Sequence, residues 1–187
     1  MNPVREYFYW IDLAIGFSAP MVVLFLYAVK KIGRYTVALF WIGAVLGLTW
    51  EVPIFLLSVP PTAHPVITYI RPQPVHYLFF LAAHTLWDGG LFLIGVWLVR
   101  KLCRPPHFAG FRLSELGILI VYGQVSELIV ELTSITNGGW AYVAGYRYNP
   151  VLFPVGRYHI TLLPQLIWLA APVVFYFAAL ALKRSGE

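Results

Sequence analysis

Five long apolar runs occupy most of this chain of 187 residues and limit what it can fold into. Each run is close to the ~20 residues that a helix needs to cross ~30 Å of hydrocarbon. Inside a bilayer every backbone polar group needs an internal partner, so the runs are predicted to be helices. The predicted spans are about 9–29, 36–58, 76–99, 113–135 and 160–182. We therefore predict one domain over residues 1–187, an all-α integral membrane protein built as a five-transmembrane-helix bundle.

The composition agrees with this class. Hydrophobic residues make up 60% of the chain and charged residues only 11%, whereas soluble proteins carry roughly 25% charged residues. The first run is not expected to be a cleaved signal peptide, because Glu6 and Asp12 stand at its start and lysines follow it. Cys103 is the single cysteine, which excludes an internal disulfide and a cysteine-based metal cluster.

Basic residues alternate between the connections and set an expected orientation. The segments after the first, third and fifth spans hold Lys30, Lys31, Arg34, Arg100, Lys101, Arg104, Arg112, Lys183 and Arg184. The other side holds only Arg5, Arg71, Arg147 and Arg157. By the positive-inside rule the N-terminus is non-cytoplasmic and the C-terminus cytoplasmic. The same distribution accounts for the net charge of +5, so no nucleic-acid partner is expected.

Two long connections, residues 59–75 and 136–159, fall on the predicted non-cytoplasmic side. The first is rich in proline, and the second in glycine, proline and tyrosine. Such segments form either an aromatic belt at the level of the lipid headgroups or a lid over the bundle, and we favour the belt. A bacterial inner membrane and an endoplasmic reticulum fit the short loops equally well, and a homodimer is compatible with the pattern.

Four carboxyl side chains lie inside the apolar runs, namely Glu51, Asp88, Glu127 and Glu131. A carboxyl at membrane depth costs roughly 2.5–3.5 kcal/mol on insertion scales, so it is rare without a partner or a function. Together they predict a polar pocket in the middle of the bundle. Glu51 lies near Pro53, and two interpretations of it are equally favoured. It is either a neutral acid that hydrogen-bonds a neighbouring helix or an acid that takes part in the function.

The third and fourth spans arrange their polar groups on single faces. His84 and Asp88 are one turn apart, so they can share a proton at neutral pH or form a structural hydrogen-bonded pair. The fourth span carries a polar stripe made of Gln124, Glu127, Glu131 and Ser134. Two carboxyls one turn apart in low dielectric cannot both ionise cheaply, so at least one should be protonated near pH 7. The stripe predicts a cavity wall or a proton path, with adhesion between helices as the alternative.

The fifth span places Gln165, Trp168 and Pro172 on one face. Trp168 lies at membrane depth, where an indole facing a polar pocket can stabilise a cation, although core packing would place it there too. The chain contains no HExxH, HxxxH or cysteine-containing spacing, and no nucleotide-binding fingerprint. We predict no metal and no cofactor.

Several of these motifs resemble the emopamil-binding protein family of sterol Δ8–Δ7 isomerases. Gly123-Gln124 before an acid resembles the family's fourth helix, and Leu86-Trp87 has a counterpart in its third. The run from Gln165 to Trp168, followed by Pro172, resembles the fifth helix, and Glu51 falls where the family keeps a catalytic glutamate. The resemblance implies a five-helix membrane protein whose helices two to five form the active bundle.

The chain also departs from that family. The family's histidine one turn before the glutamate corresponds to Gly47 here, and its third-helix glutamate falls near Phe80. His84 and Asp88 are candidates to replace these groups in space. A second, local resemblance joins Trp50-Glu51 and Asp88-Gly89 to the membrane-bound meroterpenoid cyclases, which have seven helices.

Both resemblances imply that a protonated carboxyl donates to a double bond or an epoxide, and that a second group removes a proton elsewhere from the resulting carbocation. Glu51 is our first choice for the acid, and Asp88 with His84 for the relay or base. The candidate catalytic residues are Glu51, Asp88, His84 and Glu127. The candidate substrate-binding residues are Trp50, Trp87, Gln124, Glu131, Gln165 and Trp168. The expected partner is a hydrophobic, lipid-like substrate of sterol or terpenoid type.

Two other classes of function stay open. A carrier for a lipid or small hydrophobic molecule, or a proton-coupled transporter, would use the same buried carboxyls, although five spans without an inverted repeat is an unusual transporter plan. A structural or assembly subunit would use them to join helices.

Overall fold

The structure, a computed structural model, describes residues 3–58 and 64–185. Its five long helices are α1 Pro3–Ala28, α2 Arg34–Leu56, α3 Tyr77–Leu102, α4 Leu113–Asn137 and α5 Leu162–Ser185. All five are long and apolar enough to cross a membrane. The predicted multi-pass helical bundle is therefore confirmed in its main feature. The largest boundary difference is at α1, which begins at Pro3 rather than near residue 9.

The all-α prediction is incomplete, because both long connections contain short strands. These are β1 Ile67–Tyr69, β2 Trp140–Tyr142, β3 Val151–Val155 and β4 Tyr158–Thr161. Strand β1 pairs antiparallel with β2, and β3 with β4. The first pair joins the α2–α3 connection to the α4–α5 connection, so we call this end of the bundle the sheet end. Residues 59–63, with Pro60 and Pro61 of the predicted belt, lie outside the described part.

Small residues bring the helices close together around α3, which packs against α1, α2 and α4. A Cβ on Gly16 of α1 would lie 2.7 Å from the Cβ of Ala83, and one on Gly89 would lie 2.8 Å from the backbone oxygen of Phe40 in α2. Helices in lipid associate through such contacts because burial of apolar surface gains little there. Gly89 thus lets α2 approach α3 closely.

Aromatic side chains fill the half of the bundle remote from the sheet end. Phe92 stacks on Phe175 with ring centroids 4.4 Å apart and on Trp168 at 5.4 Å. The outward faces are apolar: Met21, Phe25, Val45, Trp97 and Val125 are 52–69% exposed. On a soluble protein such surfaces would favour aggregation, whereas hydrocarbon solvates them. The packing is thus that of a membrane bundle with a dry aromatic core at one end.

Candidate functional site

A cavity of about 990 Å³, including its mouth, lies in the half of the bundle nearest the sheet end. All five helices and β2 contribute to its wall. Its ionisable side chains are Asp12, Glu51, His84, Asp88 and Glu127, and its large aromatic side chains include Trp50, Trp87, Trp140, Tyr142 and Trp168. Most of the remaining wall is aliphatic. The polar pocket predicted from the buried acids is therefore present, and seven of the ten predicted site residues line it.

His84 lies at the centre of the polar groups, between two carboxyls. Its Nε2 is 2.8 Å from Oδ2 of Asp12, a hydrogen bond between α3 and α1. Its Nδ1 is 3.6 Å from Oε2 of Glu51 in α2. The pair that forms is thus not the predicted one of His84 with Asp88, because both ring nitrogens face carboxyls on other helices. One imidazole bridging two carboxyls can move a proton from one of them to the other.

Asp12 is the residue that the sequence analysis missed. It stands in the first apolar run, and we had counted it only among the acids at the start of that run. Its side chain is 10% exposed and bonds His84, so α1 belongs to the site rather than standing outside an active bundle of four helices. The available signal was an acid inside a predicted span, the same signal that identified Glu51.

Asp88 occupies the space that Gly47 leaves free. A Cβ on Gly47 would lie 2.9 Å from the Cβ of Asp88, so a larger residue at 47 would displace the aspartate. An acid on α3 therefore fills the volume that Gly47 of α2 leaves without a side chain. Oδ2 of Asp88 is buried without a hydrogen-bond partner among the described residues, and Trp50 lies within hydrogen-bonding reach of the carboxyl.

Glu127 brings a fourth carboxyl to the cavity from α4. The residue is 5% exposed, and its Oε1 has no hydrogen-bond partner in the part of the chain that the structure describes. A buried acid without a partner is costly unless it holds a proton or meets a ligand. Glu127 and Asp88 are therefore the carboxyls most available to a molecule in the cavity.

Four tryptophans face the same space. The rings of Trp50 and Trp168 meet edge to face with centroids 6.0 Å apart, and Trp168 is 4% exposed. Trp140 lies 6.2 Å from the imidazole of His84, measured between ring centroids. Indole faces attract cations through the ring quadrupole, and the attraction grows where water is excluded. The cavity thus combines proton-holding groups with surfaces that stabilise positive charge.

The strand pair β1–β2 covers the cavity at the sheet end. Ile67 pairs with Tyr142 and Tyr69 with Trp140, so two cavity-lining side chains are fixed by the α2–α3 connection. Burial and the neighbouring carboxyls raise the pKa of the Tyr142 phenol well above its ordinary value, which keeps it a neutral hydrogen-bond donor. These two strands therefore cover the cavity as a lid, and the aromatic belt at the level of the headgroups stays a prediction.

The lid is also attached to α1. The hydroxyl of Tyr9 donates toward the backbone oxygens of Gly139, at 2.7 Å, and Arg71, at 3.0 Å. Nε of Arg71 donates to the backbone oxygen of Gly138 at 2.9 Å, and Gly138 closes α4 in a left-handed conformation with φ of 74°. The lid therefore bonds to α1 and to the C-terminal end of α4, and it closes the site from that side.

Three predicted site residues do not line the cavity. Nε2 of Gln124 donates to the backbone oxygen of Gln165 at 2.9 Å, which joins α4 to α5. Glu131 is fully buried and faces Thr161, the last residue of β4. The predicted polar stripe thus divides: Glu127 and Ser134 reach the cavity, Gln124 bonds to α5, and Glu131 lies buried outside the cavity, its carboxyl oxygens without a hydrogen-bond partner among the described residues.

The charge balance of the cavity limits its protonation states. Four carboxyls and one imidazole face it, and no lysine or arginine lines it among the described residues. If all four acids were ionised, even a protonated His84 would leave three uncompensated negative charges in a low-dielectric site, which burial strongly disfavours. The cluster must therefore hold protons at neutral pH. Within the described chain, no group of three or more His, Cys, Asp and Glu side chains is arranged to hold a metal ion.

Comparison with protein-family models, curated proteins and solved structures finds no match for this chain. The resemblances to the sterol isomerases and the meroterpenoid cyclases stay predictions.

Proposed function

We propose that the protein is a membrane-embedded isomerase or cyclase that acts on a sterol- or terpenoid-type lipid through a carbocation. The observation that carries the proposal is the pairing of a proton-holding cluster with four tryptophans in one apolar cavity. Acid-initiated chemistry on an unactivated double bond or an epoxide needs a neutral acid, a dry site and aromatic faces. The cavity supplies all three.

The reaction conserves atoms. A carboxyl O–H transfers its proton to one carbon of a double bond, or to an epoxide oxygen, and a carbocation forms. A carboxylate then takes a proton from a neighbouring carbon, and the electrons of that C–H bond form the new double bond. The enzyme ends with the proton on a different carboxyl, and losing it there while the donor regains one restores the starting state. The product is an isomer of the substrate.

The contacts suggest a role for each ionisable group. Glu51 is the acid, and Asp12 fixes the imidazole of His84 so that the other nitrogen faces Glu51. After the product leaves, Asp88 or Glu127 releases its proton to solvent, and the Asp12–His84 pair takes one up and passes it to Glu51. Asp88 and Glu127, whose free oxygens have no partner among the described residues, are the groups that accept the proton from the cation. This replaces the earlier assignment of a His84–Asp88 relay.

The charges suggest an orientation in the membrane. The sheet end carries few basic residues, whereas Lys30, Lys31, Arg100 and Arg104 lie toward the opposite end. Under the positive-inside rule the lid faces the non-cytoplasmic side and the C-terminus the cytoplasm. Either a bacterial inner membrane or an endoplasmic reticulum would satisfy this orientation.

The packing argues against the transporter alternative. Cavity and acids are confined to one half of the bundle, and beyond them Phe92 and Phe175 stack in a core where both are nearly fully buried. A transport path needs polar or open space on both sides of the binding site. A carrier that binds a hydrophobic molecule without converting it fits the cavity and is the alternative that experiment must separate.

The decisive experiment uses heavy water. The purified protein in lipid nanodiscs is incubated with a panel of Δ8-sterols and polyprenyl epoxides, and mass spectrometry reports isomers and deuterium on carbon. We expect deuterated product from the wild type and a loss of about 10³-fold for Glu51→Gln, in line with removal of a general acid.

Glu131→Gln is the matched control, because Glu131 is a buried acid that does not line the cavity. It should keep most of the activity. If the folded wild type binds members of the panel but converts none, the protein is a carrier. If Glu131→Gln loses as much activity as Glu51→Gln, the assigned roles are wrong.

A further inference from the structure

The cavity continues to the lipid-facing surface between α1 and α4. Its wall includes Ile11 and Ile15 of α1 and Ile129 of α4, which are 41%, 43% and 57% exposed, and also the exposed Thr133. Asp12 adjoins the first pair, and Glu127 is two residues from Ile129. The wall therefore changes, within one helical turn on each helix, from an apolar outer surface to the ionisable interior.

This opening lies at hydrocarbon depth. At 1.5 Å per residue, Ile15 is roughly 18 Å along α1 from Pro3, and Ile129 roughly 12 Å along α4 from its end at Asn137. Toward the sheet end the gap narrows where Phe8 of α1 packs against Gly139 beside β2, and the exposed Val4 lines the cavity beyond it. At Ile15 and Ile129 the opening lies at the depth of the lipid tails.

Three other helix pairs are closed by small residues. Gly16 of α1 faces α3 at Ala83, Gly47 of α2 faces α3 at Asp88, and Gly123 of α4 faces α5, where a Cβ would lie 3.0 Å from the backbone oxygen of Trp168. Gly16 and Gly123 thus bring their helices toward α3 and α5 rather than toward each other. The α1–α4 pair is spanned at this depth by branched aliphatic side chains that do not seal it.

We propose that the substrate enters sideways from the bilayer through this α1–α4 opening, with its reactive end reaching the acids and its hydrocarbon part lying between Ile11, Ile15 and Ile129. The occupant is a membrane-dissolved lipid with a single slender hydrocarbon body, such as an isoprenoid chain, because two acyl chains would not pass together between two helices. The inference rests on the proposed function for the choice of reactive end, but the route itself does not depend on catalysis.

Tryptophan fluorescence tests the route directly. Trp10, Trp41 and Trp97 are exposed on the outer surface, and replacing them with Phe leaves Trp50, Trp87, Trp140 and Trp168, all on the cavity wall. In nanodiscs of this variant, a dibrominated long-chain alcohol added to the membrane should quench the cavity tryptophans saturably. Dibrominated phosphatidylcholine, which has two chains, gives the background of quenching through the lipid.

Substitutions that narrow or widen the opening should change the rate of tryptophan quenching in opposite directions. Ile15→Phe with Ile129→Phe narrows it and should slow quenching about fivefold, whereas Ile15→Ala with Ile129→Ala should speed it. The matched control is Val22→Phe with Val125→Phe, because both residues are exposed on the same helices outside the cavity wall. Opposite shifts in the two mouth variants cannot both come from misfolding.

Two outcomes would overturn the route: quenching at the same rate in the narrowed, widened and control variants, or no quenching beyond the phospholipid background. Either result is independent of turnover. If quenching is slower in the narrowed variant and faster in the widened one, but the protein converts no lipid in heavy water, the route holds and the proposed chemistry is rejected. Conversion that is insensitive to the mouth variants would keep the chemistry and reject the route.

Discussion

The buried carboxyl of Glu115 and the buried carboxyls of the cavity have different surroundings. Near the end opposite the lid, Glu115 is fully buried, yet its oxygens accept hydrogen bonds from the backbone N–H of Phe108 at 3.2–3.3 Å. The hydroxyl of Tyr176 lies 3.1 Å from the same carboxyl, and Nη1 of Arg112 lies 3.5 Å away. In the cavity, Asp88 and Glu127 each keep an oxygen with no partner among the described residues.

The difference teaches that burial alone does not identify a functional acid. Glu115 has a cation and several donors, so it holds the connection before α4 against α5 and has no capacity left for a ligand. The cavity acids have fewer partners than they need, which is costly in a structural role and useful in a catalytic one. The two sites should therefore respond in opposite ways to substitution, in stability for one and in turnover for the other.

The largest effect is expected for His84→Asn in the cavity. The shorter amide cannot pass a proton between Asp12 and Glu51, so turnover should fall by about 10²–10⁴-fold. Isomer formation in heavy water measures turnover, and thermal unfolding in nanodiscs measures stability. A variant that unfolds as readily as it loses activity would make His84 a structural link between α1, α2 and α3.

Glu115→Ala should produce the reverse result. Removing the carboxyl leaves the buried Phe108 N–H and the Tyr176 hydroxyl without their charged acceptor, at a cost of about 2 kcal/mol of unfolding free energy. The melting temperature should fall while turnover per folded molecule stays near that of the wild type. Lost turnover at unchanged stability would show that the comparison between the two sites is wrong.

A smaller effect is expected for Gly47→Ala. The added methyl group would lie 2.9 Å from the Cβ of Asp88 and push that acid from its place on the wall, lowering turnover about tenfold. Gly43→Ala is the control, since on the same face of α2 its methyl group would meet the apolar Phe92 instead, 2.8 Å from a ring carbon. Equal losses of turnover in both variants would trace the effect to helix spacing rather than to Asp88.

Tyr176→Phe is the mildest change. The hydroxyl lies near Glu115 and accepts from the backbone N–H of Arg112 at 2.8 Å, so its loss should cost about 1 kcal/mol of stability and no turnover. Thermal unfolding of Tyr176→Phe, of Glu115→Ala and of the double variant shows whether the two residues act together. If the losses in unfolding free energy of the two single variants simply add up in the double variant, the Glu115 carboxyl does not depend on the Tyr176 hydroxyl.

Hydropathy predicted the helices well, because a ~20-residue apolar run has few alternatives in a bilayer. The cavity was foreseen through the cost of Glu51, Asp88 and Glu127 at membrane depth. Asp12 was missed because an acid near the start of a run is common at an interface. The partners of His84 were missed because spacing along one helix points to Asp88, whereas α1 and α2 bring other acids nearer in space.

The strands β1 and β2 were missed for a different reason. Each is only three residues long, and neither shows an alternating pattern that a sequence can display. They exist because the two connections meet over the cavity, which depends on the arrangement of all the helices. Glu115 was missed as a buried group because it lies at the very start of α4, where a charged residue is ordinarily solvated.

The origin of the lid strands has a consequence for how the protein is made. Asp12, Glu51 and His84 all belong to α1, α2 and α3, so these polar groups can neutralise one another as soon as the third helix has entered the membrane. Strand β1 must wait, since its partner β2 is synthesised only after α4. The nascent chain thus assembles the polar contacts of His84 early, and the cavity stays open to the aqueous side until the fourth helix is in place.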